Sequence, residues 1–297
     1  MLTAASGAGG VGAKAWRLGV VLIALVAAIV LLRSRSGERG APTATGAPIM
    51  AVPPDSEFSG IVEVERRVGD YLLRVIHDTT SDERVFDLKL RGRRAWAVRA
   101  ANIRLLRIGR DITGDGVPDV VVEQFSGGMH CCTQSTVLSL GSAVHDYGTI
   151  NGADGEVEFE DADGDGVLEV RIGDWRFAYW REYAFVETQV PDVILHFTPE
   201  GYRPACDLMR EQPPDSAALT DKARELSDGW TSGDPPAELW GYAVELVYQG
   251  HASLAWRLLD LAWPPTIPGK AEFERDLRER LEGSPCWSER PKTRPSA

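Results

Sequence analysis

The sequence lacks the short motifs that identify many enzyme classes. It contains no Gly-x-Ser-x-Gly elbow, no His-Glu-x-x-His pair and no phosphate-binding loop. The hydrolases, zinc proteases and nucleotide-binding enzymes that carry those motifs are therefore not indicated. Histidine is scarce, with five in 297 residues. Four histidines stand apart from other catalytic residue types, as surface or hydrogen-bonded core histidines usually do: His77, His145, His196 and His251.

Basic residues are also in deficit. The chain has 32 lysines and arginines against 44 aspartates and glutamates, which gives a net charge of −12 at pH 7. The imbalance is larger outside residues 1–40, where 27 basic residues stand against 43 acidic ones. Such a surface repels nucleic-acid phosphates, so no nucleic-acid partner is expected, and it attracts cations.

Long apolar runs are limited to one. Leu18 to Leu32 is a stretch of 15 apolar or small residues, with Trp16 before it and three arginines after it. A helix of that length spans about 22 Å, less than the ~30 Å hydrocarbon core, so residues 16–33 are expected to form a short transmembrane anchor or a signal segment. The nearest small-x-small triplet ends at Ala47 and is followed by Pro48. Because proline there blocks the signal peptidase, an uncleaved anchor is favoured.

The segments on either side of the anchor have no periodic pattern. Residues 1–15 are typical of a disordered N-terminus, and residues 34–57, rich in Ser, Gly, Pro, Ala and Thr, are typical of a flexible linker. From residue 58 to 207, short β-type runs alternate with turn residues, which predicts a mainly β, antiparallel domain. The predicted strands are Ile61–Val64, Tyr71–Ile76, Val85–Leu90, Ile103–Ile108, Val120–Glu123, Thr136–Leu140, Val157–Phe159, Leu168–Ile172 and Val193–Phe197.

Residues 213–289 change to a helical pattern, and residues 290–297 form a polar tail. Asp234 followed by Pro235 predicts a helix start, and Gly250 a helix end. A second helix carries Leu254, Leu258 and Leu261 in register, a third follows over Phe273 to Leu281, and a further one is expected over residues 216–228. The sequence therefore predicts an all-α domain of helical hairpins. Its aromatic residues are interpreted as core, with a peptide-binding groove as the alternative: Trp240, Tyr242, Tyr248, Trp256 and Trp263.

Two acidic segments share one template, fifty residues apart. Loop 1 reads Asp-Ile-Thr-Gly-Asp-Gly-Val-Pro-Asp over residues 111–119, and loop 2 reads Asp-Ala-Asp-Gly-Asp-Gly-Val-Leu-Glu over residues 161–169. Calcium takes six to eight oxygen ligands in flexible geometry, and alternating oxygen-bearing side chains in a tight loop converge on one centre. The predicted calcium ligands are the side chains at positions 1, 3, 5 and 9 and the backbone carbonyl at position 7. In loop 1 these are Asp111, Thr113, Asp115, Val117 and Asp119; in loop 2 they are Asp161, Asp163, Asp165, Val167 and Glu169.

These loops differ from the EF-hand loop at its twelfth position. An EF-hand has a bidentate glutamate there, whereas loops 1 and 2 are followed by Val122 and Ile172. Both loops also lead into β-type sequence and not into a helix, which excludes a helix–loop–helix site. Magnesium fits less well, because it uses fewer protein ligands and keeps its waters.

The loops, with the strands that follow, resemble the FG-GAP or VCBS repeat of integrin-α-like β-propellers, whose blades carry an Asp-x-Asn/Asp-Gly-Asp-Gly-x-x-Asp loop. The resemblance covers residues 100–175 and implies that the oxygen-bearing residues of both loops are calcium ligands. Two loops in some 150 residues are too few for a closed propeller, so a partial propeller or a curled antiparallel sheet is expected. The segment 126–132, Ser-Gly-Gly-Met-His-Cys-Cys, is similar to one in bacterial proteins of this group, which implies a bacterial envelope protein.

His130, Cys131 and Cys132 place an imidazole and two thiols side by side. With Cys206 they form a candidate zinc or copper site, and this is the basis of an alternative function as an envelope hydrolase. Adjacent side chains in an extended segment point apart, so a disulfide from Cys131 or Cys132 to Cys206 or Cys286 is favoured instead.

Together these patterns predict a membrane-anchored calcium-binding protein that is more a binding module than an enzyme. Cytosolic calcium is too scarce to fill loops of modest affinity, so the folded part is expected outside the cytoplasm, or secreted if residues 16–33 are removed. The expected partner is a protein or a polysaccharide.

Overall fold

The computed structural model describes residues 50–51, 58–128 and 132–287. The described residues belong to one compact unit. The expected disordered N-terminus (1–15), anchor (16–33) and tail (290–297) lie outside the described residues. Within the described part of the chain, no helix is long and apolar enough to cross a bilayer.

Thirteen described strands form three sheets in which every pairing is antiparallel, as predicted. Sheet 1 has the order β1-β5-β4-β3-β2, sheet 2 the order β6-β7-β8-β9, and sheet 3 the order β10-β11-β12-β13. The strands are β1 Met50–Ala51, β2 Ile61–Val68, β3 Tyr71–Asp78, β4 Glu83–Leu90, β5 Arg93–Ala100, β6 Asn102–Arg110, β7 Asp119–Phe125, β8 Thr133–Leu140, β9 Val144–Ala153, β10 Glu158–Glu160, β11 Glu169–Gly173, β12 Asp192–Thr198 and β13 Gly201–Pro204.

Sheet 2 is the central layer, and the alternation of its side chains shows this directly. On β7, Val120 and Val122 belong to one buried cluster with the side chains of sheet 1, whereas Val121 belongs to another with those of sheet 3. Successive residues of a strand point to opposite faces, so a strand with three consecutive fully buried valines is covered on both sides. The position of β7 between two other sheets therefore explains why the run from Val120 to Val122, directly after loop 1, is entirely apolar.

Four described helices follow the sheets: α1 Ser216–Leu226, α2 Ala237–Tyr248, α3 Ala252–Ala262 and α4 Lys270–Leu281. Together with the strands they give the mainly β first part and α second part that the sequence predicts. The buried cluster of sheet 3 continues into the helices without a break. Trp240, Tyr248 and Trp263 are buried within it, in agreement with their interpretation as core residues.

Two details of the predicted helices are wrong. Helix α2 begins at Ala237 with Pro236 at the N-cap position, and not after Asp234, because the carboxylate of Asp234 is engaged by the Arg181 guanidinium in a two-pronged ion pair. Leu261 is 44% exposed. The buried face of α3 instead follows the positions i, i+3, i+4 and i+7 through Ala255, Leu258, Leu259 and Ala262.

Four strands were not predicted, and three of them have a composition that conceals them. β5 contains three arginines, whose charge is balanced across the sheet by pairs such as Arg94–Asp87 and Arg99–Asp78. β9 contains two internal glycines, and β13 is a four-residue strand that ends in proline. β1 falls inside the segment predicted to be linker, where Met50 pairs with Arg99 of β5.

The disulfide arrangement also differs from the expected one. Cys206, after β13, is bonded to Cys286, after α4, with their Cα atoms 5.5 Å apart. The expected bond from Cys131 or Cys132 to either of them is therefore wrong, because the end of the helical region returns to the end of sheet 3. Cys132 is itself disulfide-bonded, and Cys131 lies outside the described residues.

We expect Asp87→Asn to lower the free energy of unfolding by about 3 kcal/mol, because it leaves two guanidinium groups without their buried counter-charge. Asp87 is fully buried and accepts hydrogen bonds at 2.8 Å from both Arg74 and Arg94. Burial raises the pKa of Asp87, but these bonds outweigh it and leave the pKa lowered. The contribution is thus present above the ordinary value of 3.8 and is lost as pH falls below it.

Urea denaturation of the full chain in mild detergent measures this change. Asp221→Asn is the matched control, because Asp221 forms an exposed pair with Arg224 on α1 and its loss is expected to cost less than about 0.5 kcal/mol. Equal effects of the two substitutions would contradict the importance given to Asp87.

The double substitution Cys206→Ser/Cys286→Ser is expected to lower the free energy of unfolding by about 4 kcal/mol, because the bond closes a long segment in the unfolded chain. The two cysteines are 80 positions apart. The change is measured by urea denaturation without reductant. A midpoint equal to that of the unsubstituted chain would show that the bond does not restrict the unfolded state.

Candidate metal centre

Loops 1 and 2 occupy equivalent places in consecutive sheets. Each connects the first strand of a sheet to the second: loop 1 runs from the end of β6 to β7, and loop 2 from the end of β10 to β11. In both, position 1 directly follows a strand, and position 9 is the first residue of the next strand. The shared sequence template is thus matched by a shared structural position.

The two loops also share several internal hydrogen bonds. The position 1 carboxylate accepts from the backbone N–H groups of positions 4 and 6, at 2.7 and 2.8 Å in loop 1 and at 2.8 and 3.2 Å in loop 2. The position 5 carboxylate accepts from the N–H of position 7. Both glycines of each loop have left-handed φ values between 73° and 91°, a conformation that other residues adopt with strain.

The ninth residue of each loop is a buried carboxylate. Asp119 is fully buried and Glu169 is 3% exposed. Oδ2 of Asp119 accepts hydrogen bonds from the backbone N–H groups of Ile112 and Thr113 and from the Thr113 hydroxyl. Its Oδ1 is buried and has no hydrogen-bond partner among the described residues. None of the described lysines or arginines forms an ion pair with either ninth residue.

Carboxylate oxygens converge in loop 2. One oxygen from each of Asp161, Asp163 and Glu169 lies within 4.8 Å of the others. Oxygens that each lie ~2.4 Å from one calcium ion are at most ~4.8 Å apart, so this spread fits a single ion. Asp165 is not in that group. Loop 1 has Thr113 at position 3, so two carboxylates and a hydroxyl occupy the corresponding positions there.

The residue types of both loops suit a calcium ion, because the donor set is all oxygen, as a hard cation requires. Among the described residues, three carboxylates converge in loop 2 and not in loop 1. In loop 1 the buried Oδ1 of Asp119 has no hydrogen-bond partner in the described part of the chain. Thr113 is placed beside Asp119, with its hydroxyl hydrogen directed to that carboxylate. Val117 and Val167 lie at position 7 of their loops, where their N–H groups bond to position 5.

Loop 1 has contacts that sequence reasoning missed. Oδ2 of Asp115 accepts hydrogen bonds from the Tyr147 hydroxyl at 2.9 Å and from the Ser139 hydroxyl at 3.3 Å. Burial and the bond to Asp115 raise the pKa of Tyr147 to about 12, helped by the charges of Asp119 and Asp111. Tyr147 and Ser139 come from β9 and β8, and no local motif marks either one.

Burial and the neighbouring acidic residues of each loop raise the pKa of the carboxylate at position 9. Burial raises the pKa of Asp119, and the Asp115 carboxylate raises it further, against the hydrogen bonds from Ile112 and Thr113. Burial likewise raises the pKa of Glu169, with added repulsion from Asp163 and Asp165. Both ninth residues therefore lie where negative charge is costly unless a cation neutralises it.

The alternative metal site receives no support from the described residues. Cys132 is disulfide-bonded and so offers no thiolate, which is the form of cysteine that ligates zinc. Cys206 is bonded to Cys286. His130 and Cys131 lie outside the described residues.

No protein-family model matches the sequence, and no curated protein gives a significant match.

We expect Asp119→Asn to remove the energetic cost of burying a charge at this position and, at the same time, to weaken calcium binding at loop 1. The folded-state pKa of Asp119 is raised above its ordinary value of 3.8. Its contribution to stability is thus fully present below that value and lost as pH rises through the folded pKa. In chelator at pH 7 the neutral variant should be at least as stable as the unsubstituted chain, whereas its calcium affinity at loop 1 should fall at least about tenfold.

Two measurements check these expectations. Thermal unfolding at pH 4 and pH 7, with calcium or with chelator, reports the stability of the variant, and calorimetric calcium titration reports its affinity. The advantage of the variant in chelator should shrink at pH 4, where the native carboxylate takes up a proton. Asp221→Asn, an exposed charge change on α1, is the control and should alter neither property. Unchanged calcium affinity in Asp119→Asn would exclude that carboxylate as a ligand.

Proposed function

We propose that this protein is a calcium-binding interaction module of the cell envelope, in which two calcium ions order loops 1 and 2. The observation that carries the proposal is the pair of buried ninth-position carboxylates, Asp119 and Glu169. Buried charges in proteins are paired with opposite charges or coordinate metals. Since no lysine or arginine of the described residues pairs with them, a bound cation is the simplest source of the missing charge.

We further propose that the three sheets are blades of a partial, FG-GAP/VCBS-like propeller. Apart from the two-residue β1, each sheet is a run of four strands in chain order, and the sheets pack in succession around sheet 2. Loops 1 and 2 join the first and second strands of blades two and three. In the first blade the corresponding connection is a two-residue turn, Gly69-Asp70, between the paired residues Val68 and Tyr71, which is too short to surround an ion.

The proposed calcium role is structural. Loop 1 carries three carboxylates and loop 2 carries four, and their mutual repulsion opposes the compact loop conformation. A divalent cation removes that repulsion and fixes the strand that begins at position 9. Calcium is preferred over magnesium because up to five protein oxygens per loop suit its larger coordination shell.

The concave surface beside loop 2 is the proposed place for a partner. A cleft of about 820 Å³ is lined in part by Asp163 of loop 2, His196, Arg210, Trp287 and the Cys206–Cys286 disulfide. Its volume is within the usual range for ligand sites. A protein segment or a polysaccharide chain is the proposed occupant, and ordering of loop 2 by calcium would fix one wall of the cleft.

We place the folded part of the protein outside the cytoplasm, tethered by residues 16–33. The Cys206–Cys286 bond supports this, because structural disulfides persist mainly in oxidising compartments. The need for free calcium above cytosolic levels supports the same orientation.

Calcium is expected to raise the melting temperature of the full chain in detergent by at least about 5 °C relative to EDTA. At 100 times the dissociation constant, one bound ion adds about 2.7 kcal/mol, and each kilocalorie moves the midpoint of a domain of this size by about 2–4 °C. Magnesium at the same concentration is the control and should have a smaller effect. An equal melting temperature in EDTA, with no calcium found in the purified protein by elemental analysis, would overturn the proposal.

A further inference from the structure

Loops 1 and 2 are in direct contact. The backbone N–H of Leu168, at position 8 of loop 2, donates a hydrogen bond of 2.8 Å to the carbonyl oxygen of Ile112, at position 2 of loop 1. Ile112 is fully buried and Leu168 is 7% exposed. The bond therefore joins the start of one loop to the end of the other inside the protein, where it is shielded from water.

A second contact between the same two loops is the packing of a side chain of loop 2 on the backbone of loop 1. A Cβ atom on Gly114 would lie 2.7 Å from a methyl carbon of Val167, so the backbone of loop 1 packs directly against that valine. Gly114 also has a left-handed φ of 73°. Its lack of a side chain thus serves the loop conformation and the close approach of the neighbouring loop at once.

Two further links join the elements around the loops. The Tyr202 hydroxyl, from β13, donates a bond of 3.1 Å to the carbonyl of Leu168. On the opposite side, the Arg107 guanidinium of β6 donates a bond of 2.7 Å to the carbonyl of Phe159 in β10. The strands that enter the two loops are therefore tied together, as are the residues within them.

We propose that loops 1 and 2 form one coupled two-cation site, in which an ion in either loop raises the affinity of the other loop for its own ion. The inference rests on the proposed calcium binding. An ion that orders Ile112 also orders its partner Leu168, which directly precedes the ligand Glu169. The second ion then has less conformational entropy to remove, and this difference is a coupling free energy between the sites.

Repulsion between the two ions opposes the coupling, and the proposal requires the mechanical link between the loops to exceed it. The loops together carry seven carboxylates, so the pair remains negative after one divalent ion has bound, and the second ion is still attracted.

Calorimetric calcium titration of the full chain in detergent tests the proposal. We expect two ions per chain and a Hill coefficient above about 1.5, against a maximum of two for two sites. The variant Val167→Ala/Tyr202→Phe removes the Val167 methyl groups that pack on loop 1 and the Tyr202 hydroxyl that bonds to Leu168 of loop 2. It retains every carboxylate, the position 7 carbonyl and the net charge. It should still bind two ions, with a Hill coefficient close to one and at least about fivefold weaker mean affinity.

The matched control is Val186→Ala/Tyr179→Phe, which makes the same two changes at exposed side chains outside both loops. This control should keep the cooperativity of the unsubstituted chain. Two ions bound with a Hill coefficient of one in the unsubstituted chain would overturn the coupling alone. A chain that binds no calcium would overturn the proposed function as well. If Val167→Ala/Tyr202→Phe loses no more cooperativity than the control, the contacts named here do not carry the coupling.

Discussion

Asp119 begins an inner strand of the middle sheet, at a point where sheets 1 and 3 cover both faces. Its carboxylate is fully buried. Loop 1 holds one oxygen, and the other has no hydrogen-bond partner among the described residues. The valines that follow it fill the two cores on either side. A negative charge is costly to bury at the start of this strand, so the stability of the sheet stack and the chemistry of loop 1 depend on the same residue.

The sequence predicts most of the local structure and few of the contacts between residues that are far apart in the chain. Both loops, the strands after them and the existence of all four helices follow from spacing, glycine positions and apolar periodicity. The contact between the loops does not, because Ile112 and Leu168 meet only through the packing of two sheets. Tyr147 and Tyr202 are likewise brought to the loops by strands that come later in the chain, and nothing near them in sequence marks their role.

The errors have physical causes of the same kind. β5 is concealed because its arginines find buried or half-buried carboxylates on neighbouring strands, which composition alone does not reveal. Asp234 looks like a helix cap until Arg181, from a distant segment, competes for its carboxylate. The positions of the four cysteines in the sequence do not reveal their pairing. The pairing depends on the path of the chain after α4, which brings Cys286 to Cys206 at the end of sheet 3.

The bond between Cys206 and Cys286 encloses all four described helices in one covalent ring. A protease that cuts a connection between the helices would therefore not release a fragment. The two pieces would remain joined through the disulfide, with the packing of the helices on sheet 3 still available to hold them in place. The ring therefore makes the helical region tolerant of a single break in its backbone.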